Sequence, residues 1–311
     1  MECNRWESLR KFSEFLTKSV IYDSDGLVIL SKPYGIPLAH PDTGRNTAYE
    51  EYTLTDSLPF IAKSLGYEKL IVVKAPERYT SGITVLSPSE KVADKVKRCL
   101  LKGNGRGHFC SQYLAVVLGE PKPLSSVTKV ALKLRENPVN NSDKKPFVLH
   151  SWSKTSVEKG LVKVVRVQYN ALITQHLASL VEISCSARKW HFLRVYLAHL
   201  LSPILGDHLY GNRVHYVMDT LLPVNHFSDS AKGPQKLHPD LKVILGIKRG
   251  EEQHVPMHLH LKKLIIPDFT TKKTDFIIEV EPPEYFRSTC QRLNLTNPEH
   301  DICSRVRMVN K

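Results

Sequence analysis

The apolar positions change period along the chain, and each change marks an element. Trp6, Leu9, Phe12, Leu16 and Val20 recur at helical spacing and predict a short amphipathic helix near the N-terminus. After the turn residues Asp25-Gly26, the run Leu27-Val28-Ile29-Leu30 reads as a buried strand, stopped by Lys32-Pro33-Tyr34-Gly35. Further strands are predicted at Leu70–Lys74, Ile83–Leu86, Tyr113–Leu118, Val162–Val167 and Leu180–Ser184. Ser87-Pro88-Ser89-Glu90 carries a helix-start signature, with Ser87 as the cap, Pro88 in the first helical position and Glu90 completing a capping box. Val92, Val96, Cys99 and Leu100 give that helix one apolar face, and Gly103 is expected to stop it. A helix is predicted over Trp190–Leu201, closing strands over Met257–Ile266 and Asp275–Val280, and a short helix near Tyr285–Leu293 after Pro282-Pro283. Residues 212–256 are polar, Pro- and Gly-containing and weakly patterned, and read as a long insert. Many strands with few helices in irregular order predict an α+β fold with a mostly antiparallel sheet.

Composition narrows the class. With 41% apolar and 24% charged residues the chain is globular, and its 311 residues can bury a sizeable core. The longest purely apolar runs are only a few residues, far short of a membrane span. Lys and Arg number 44 against 31 Asp and Glu, so 44 − 31 leaves a net charge of +13, which favours a polyanionic partner, most simply nucleic acid. The six cysteines (Cys3, Cys99, Cys110, Cys185, Cys290 and Cys303) form no Cys-x-x-Cys pair, which argues for a reducing compartment and against a zinc ribbon. His258 and His260 point the same way on a predicted strand, but no third ligand accompanies them, so no metal is expected. Gly103–Gly107 is a flexible basic loop and not a dinucleotide fingerprint, because His108 stands where the third glycine is needed. No apolar core of a secretory signal follows the start. Arg5, Arg10, Lys11 and Lys18 are interspersed with Glu2, Glu7 and Glu14, which a mitochondrial presequence avoids; the N-terminal helix therefore reads as a packing element, with targeting the alternative.

One further stretch is strongly basic. Residues 144–166 carry Lys144, Lys145, Lys154, Lys159, Lys163 and Arg166 against Glu158 alone, with Asp143 just before them. A solvated face and a phosphate-contacting surface are both consistent with that pattern.

Five stretches, taken in order, resemble the pseudouridine synthases of the RluA type. Glu77-Arg78-Tyr79-Thr80-Ser81-Gly82 with the apolar strand behind it is similar to the family's His-Arg-Leu-Asp-x-x-Thr-Ser-Gly motif. Tyr113-Leu114-Ala115-Val116-Val117-Leu118-Gly119 resembles its Tyr-x-Ala-x-Val-x-Gly strand. His191-Phe192-Leu193-Arg194-Val195-Tyr196-Leu197-Ala198, followed by Pro203-Ile204-Leu205-Gly206-Asp207-His208-Leu209-Tyr210-Gly211, resembles His-Gln-Ile-Arg-Val-His-Leu-Ala and Pro-Ile-x-Gly-Asp-x-x-Tyr-Gly. Lys32-Pro33-x-Gly35 upstream and Leu259-His260-x-x-x-Leu264 downstream stand in the family's order. The likeness runs over roughly residues 25–290, and the insert, the His258-Leu259-His260 stretch and the Pro282–Leu293 tail point to its animal mitochondrial members.

The resemblance implies a single α+β catalytic-type domain over 24–293, with a mixed, mostly antiparallel sheet, a central RNA-binding cleft and the insert at 212–256. An N-terminal helical extension (1–23) precedes it and a tail (294–311) follows. It implies an enzyme, an isomerase that converts uridine to pseudouridine in RNA with no cofactor and no metal, acting on mitochondrial mRNA or rRNA in the matrix. The reacting uridine must first be taken out of its stack into a pocket. Carried over by position, the carboxylate that starts the reaction falls on Glu77, the arginine that pairs with it on Arg194, and the tyrosine that packs on uracil on Tyr113. Arg78, Lys144, Lys145, Lys163 and His191 are the expected RNA contacts. Gly206-Asp207 is read as a structural turn shaping the cleft.

The chain departs from the family pattern in several places. Glu77 replaces Asp, Lys74-Ala75-Pro76 replaces His-Arg-Leu, Phe192 replaces Gln, and Ser111 stands where a lysine precedes the tyrosine. Those departures motivate a rival expectation: a catalytically impaired RNA-binding or mitoribosome-assembly factor, with mitoribosome or RNA-granule proteins as partners.

Overall fold

The structure is a computed structural model and describes residues 6–40, 52–218, 220–270, 274–296 and 305–309. The first part of the chain gives α1 (Leu9–Lys18), β1 (Val20–Ser24), β2 (Leu27–Lys32), α2 (Leu54–Ser64), β3 (Ile71–Lys74), β4 (Ser81–Ser87) and α3 (Glu90–Gly105). Next come β5 (Ser111–Leu118), β6 (Ser125–Glu136), β7 (Lys144–Leu149), α4 (Lys154–Glu158), β8 (Val162–Thr174), β9 (Ala178–Cys185) and α5 (Phe192–His199). The remainder holds β10 (Val214–Val217), β11 (Thr220–Pro223), α6 (Pro239–Leu245), β12 (Leu259–Ile266), β13 (Asp275–Glu279), α7 (Glu284–Arg292) and β14 (Arg305–Val309). Two compact units result, one built from 1–111, 260–283 and 301–311, the other from 112–259 and 284–300.

In the first unit β4 is the hub. It pairs antiparallel with β2 and β3 and parallel with β12 through His260↔Ser81 and Leu261↔Gly82; β12 pairs antiparallel with β13, and β13 in turn with β14. Gly82 is required at that junction: its φ is +117°, and a side chain there would run into the backbone of Leu261. Phe12 and Leu16 of α1 pack with Val28, Leu30, Leu54, Ile61 and Leu86, so the predicted N-terminal helix spends its apolar face on this core. Val20, expected on that helix, instead opens β1, because Ser19 ends the helix and the chain turns back along β2. Sequence reasoning does not find α2. Its Pro59 reads as a breaker, yet the Thr53/Asp56 capping box and burial of Leu54, Ile61 and Ala62 carry the helix through.

The second unit is an antiparallel series β5-β9-β8-β6-β7. The mixed, mostly antiparallel α+β architecture expected from the sequence is therefore present. The long polar strands β6 and β7 escape the sequence pattern, because only Val130–Leu132 of β6 are fully buried and the rest of that strand lies open to solvent in alternation. The stretch 212–256 folds within this unit: β10 and β11 form a hairpin, and Leu237, Leu241 and Val255 join a core with Leu114, Val116, Leu205 and Phe286.

The boundaries of α3 differ from expectation at both ends. Ser89, not Ser87, caps α3 by accepting a hydrogen bond from the Val92 amide, while Ser87 Oγ is held by Gly26 O and the Ser89 amide. The helix also passes Gly103 and ends at Arg106, since Gly103 packs against Pro267 and Cys110, where any side chain would collide.

Candidate active site

Glu77 stands in the tight connection between β3 and β4. Pro76 cannot extend the β3 ladder, and the turn is closed by the Thr80 amide donating to Glu77 O at 3.0 Å, which leaves the Glu77 side chain exposed. A second loop clamps this turn. The Gly35 amide donates to Arg78 O at 3.0 Å, and Arg78 Nε donates back to Gly35 O at 3.3 Å. Lys32, at 1% exposure, donates from Nζ to Pro33 O, Ile36 O and Arg78 O at 3.1, 3.1 and 3.3 Å. These three acceptors are neutral carbonyls, so burial, with the Arg78 charge adding to it, pulls its pKa down to about 7. The Lys32-Pro33-x-Gly35 signature is thus the brace that fixes the backbone on which Glu77 is mounted. Arg78 itself lies 5.1 Å from the Tyr79 ring centroid.

Behind the turn, Ser81 Oγ meets His260 Nδ1 at 2.9 Å, and His260 Nε2 meets Val280 O at 3.1 Å. A carbonyl can only accept, so Nε2 carries the proton and Nδ1 accepts from the serine. Burial pushes His260 down to about 4. His258, buried against Thr289 Oγ1 at 2.9 Å, is likewise pushed to about 4. Both are neutral core histidines near pH 7, and among the described residues no group of three His, Cys, Asp or Glu could hold a metal ion.

Two departures from the family pattern meet in space. Lys74 Nζ donates to Ser111 Oγ at 2.8 Å, so an ammonium group reaches the position vacated by the motif lysine, from a strand 37 residues away in sequence.

In the second unit Arg194 lies on α5 at 6% exposure, on a helix buried from Phe192 to Ala198. The chain enters the helix through Trp190 and His191, both at positive φ (57° and 56°), and His191 Nδ1 sits 2.9 Å from Tyr210 Oη. Arg194 forms a bidentate pair with Asp207: Nε to Oδ2 at 3.0 Å and Nη2 to Oδ1 at 2.5 Å. Asp207 is 1% exposed and also accepts from the Leu209 and Tyr210 amides, each at 3.0 Å. The turn that carries it is pinned from 212–256: the Gly206 amide donates to Gln235 Oε1 at 2.7 Å, and Gln235 Nε2 donates to Ile204 O at 2.9 Å. Gly206 has φ +80°, and a Cβ there would strike Pro256 O. Gly206-Asp207 is thus both a turn and the carboxylate that holds the arginine.

The Tyr210 ring carries two guanidinium groups, Arg194 at 5.0 Å and Arg213 at 4.5 Å from its centroid. Arg213 Nη1 donates to Pro146 O at 2.6 Å, and burial lowers its pKa to about 10, which leaves it a cation. Tyr113, at 1% exposure on β5, accepts at Oη from Arg188 Nη1 at 3.2 Å.

The expected RNA contacts are placed unevenly. Lys144 pairs with Glu136 at 2.7 Å across the β6–β7 register, and Lys145 Nζ donates to His226 O at 2.8 Å beside the Phe227 ring. Lys163 is exposed on β8. The sequence places Lys32 in a motif without revealing its bracing role, and it does not point to Arg188, Arg213 or the pairing role of Asp207. A lysine inside an otherwise apolar strand end (Leu27–Lys32) is the one available signal.

No family model matches the chain. The mouse mitochondrial mRNA pseudouridine synthase Rpusd3 is 29% identical over 294 residues, covering 93% of this chain and 81% of that protein. The bovine mitochondrial pseudouridylate synthase RPUSD4 is 26% identical over 298 residues, with 92% and 72% covered. Among solved structures, the human RNA pseudouridylate synthase domain containing 4 superposes with a TM-score of 0.69 at 24% identity, over 93% of this chain and 98% of that one. Along nine-tenths of its length the chain is thus similar to mitochondrial pseudouridine synthases, and it has the fold of the solved human one.

Proposed function

We propose that the protein isomerises uridine to pseudouridine in mitochondrial mRNA or rRNA, in the matrix. The single observation that supports this most is the family similarity along almost the whole chain, which retains a carboxylate, a tyrosine and an arginine at the motif positions. The reaction breaks the bond between uracil N1 and ribose C1′, turns the base, and joins C5 to C1′; the proton lost from C5 is balanced by one gained at N1. Uracil takes the developing charge itself, so the chemistry calls for no cofactor. Glu77 starts the reaction, as nucleophile or base at the ribose. Arg194, held by Asp207, stands at the motif position of the arginine that the resemblance pairs with that carboxylate. Tyr113 packs its ring on the uracil while Arg188 fixes its hydroxyl. Arg78, His191, Lys144, Lys145 and Lys163 hold the RNA.

Glu77→Gln tests the reading. The amide is nearly isosteric but can neither attack the ribose nor take a proton, so pseudouridine mapped on mitochondrial transcripts treated with recombinant protein disappears, while folding and RNA affinity stay. Full activity of this variant would remove Glu77 from the reaction, whereas wild-type protein that forms no pseudouridine would end the enzymatic reading and leave the RNA-binding or mitoribosome-assembly factor, which Glu77 and Lys74-Ala75-Pro76 motivate. Glu77→Asp distinguishes two histories of the site. A pocket still shaped for the family residue keeps or gains activity with Asp. A backbone adjusted to the longer side chain loses on the order of a hundredfold for a shortfall of about 1 Å.

A further inference from the structure

Helix α3 carries a charge pattern that folding does not explain. Lys91, Lys95, Arg98 and Lys102 follow one another at steps of four, three and four residues. At 3.6 residues per turn they fall within an arc of about 60°, opposite the buried Ala93, Val96 and Gly103. Over eleven residues the stripe extends about 16 Å, one cation every ~5 Å, a spacing of the same order as the strand charge of a nucleic acid, one per ~3.4 Å of axis.

Like charges three and four residues apart on a helix repel one another, and Lys91 in the first turn also opposes the helix dipole. The helix has acids that could relieve this, and they are engaged elsewhere: Glu90 pairs with Lys69 at 2.8 Å and Asp94 with off-stripe Lys97 at 3.6 Å. Among the described residues no carboxylate lies within ion-pair distance of the four stripe cations. Lys95 rests over the Phe269 ring at 4.7 Å and Arg98 Nε touches Asp94 O, contacts that steady the side chains and leave their charges uncompensated. Arg106, just past the helix, is paired with Asp268 at 2.5 Å and closes the stripe.

We infer that the α3 stripe binds the phosphate backbone of the substrate RNA, independently of Glu77, Tyr113 and Arg194. The choice of RNA as the polyanion rests on the proposed function. A substrate gripped this way must extend beyond the reacting uridine, and its sequence under α3 goes unread, because backbone contacts carry no base information.

The test uses the full chain with Lys91→Gln, Arg98→Gln and Lys102→Gln combined. These positions are exposed and glutamine is as good a helix former, so the melting temperature should hold. A control with the same charge change carries Lys97→Gln, Lys129→Gln and Lys248→Gln. Binding of a fluorescein-labelled oligouridylate of about 25 nucleotides is titrated between roughly 50 and 300 mM salt. The stripe variant should lose about two units of slope in log affinity against log salt, at ~0.7 per phosphate, while the control keeps most of its slope. Equal slopes in wild type and stripe variant, or an equal loss in the control, overturn the inference. So does a loss confined to phosphatidylserine-containing vesicles, which would assign the stripe to a membrane surface. Should the triple variant melt early, Lys91→Gln and Lys102→Gln singly must each remove about 0.7 of a unit. Pseudouridine is assayed on the same preparations: a wild-type protein that makes none yet shows the stripe-dependent slope removes the catalytic proposal and leaves this one standing.

Discussion

Replacing Asp207 with Asn keeps the shape of the turn and removes one charge from a buried pair. The Asn oxygen can still accept from the Leu209 and Tyr210 amides, which Oδ1 serves at 3.0 Å each, but the second guanidinium contact meets an amide in place of a carboxylate oxygen. Arg194 and Asp207 side chains are 7% and 1% exposed, so water cannot take over the lost charge. Deleting one member of such a pair costs about 3–5 kcal/mol. With the backbone hydrogen bonds and one guanidinium contact kept, the lower part of that range applies, about 3 kcal/mol. At 2–4 °C per kcal/mol for a unit of this size, the melting temperature should fall by roughly 6–12 °C in calorimetry. A double-mutant cycle with Arg194→Met sharpens the test, because a direct pair predicts that the double variant loses less than the sum of the singles. If Asp207→Asn melts within about 2 °C of wild type, or the two changes simply add, the pair does not hold the arginine and its assigned role fails.

Contacts around the Glu77 turn set two further outcomes. Lys32 has a folded pKa of about 7 against 10.5 unfolded, so between those values the folded state binds fewer protons and stability rises with pH; below about 7 both states are charged and the contribution is flat. Urea unfolding should therefore show wild type gaining about 2–3 kcal/mol from pH 7 to pH 9 relative to Lys32→Met, and parallel pH curves would contradict the burial of that amine. Lys74→Met removes the ammonium from Ser111, and should lower pseudouridine formation more than thermal stability; adding Ser111→Lys restores a cation from β5 and should recover most of the loss, whereas a double variant no better than Lys74→Met would show that Lys74 is not a replacement for the motif lysine.

Much of this molecule is legible in its residue order alone. Apolar runs such as Leu27–Leu30 and Tyr113–Leu118 read as strands because a short β-branched and aliphatic stretch bounded by turn residues suits a sheet interior buried on both faces. The ordered motifs carry the family resemblance, and the apolar neighbours of Arg194 already suggest an inward-facing cation needing a partner. Which carboxylate is a matter of three dimensions. Asp207 is thirteen residues beyond Arg194, past the end of α5, and only the return of the chain through Gly206, pinned by Gln235 from a stretch without visible periodicity, brings the two together. Lys32 and Arg78 are 46 residues apart, and the brace they form depends on β2 and β4 being neighbours in the sheet. Local pattern reports which face of an element is buried, because burial is periodic along the chain. It does not report which polar group waits at the end of a buried side chain, because that partner is chosen by how the elements pack.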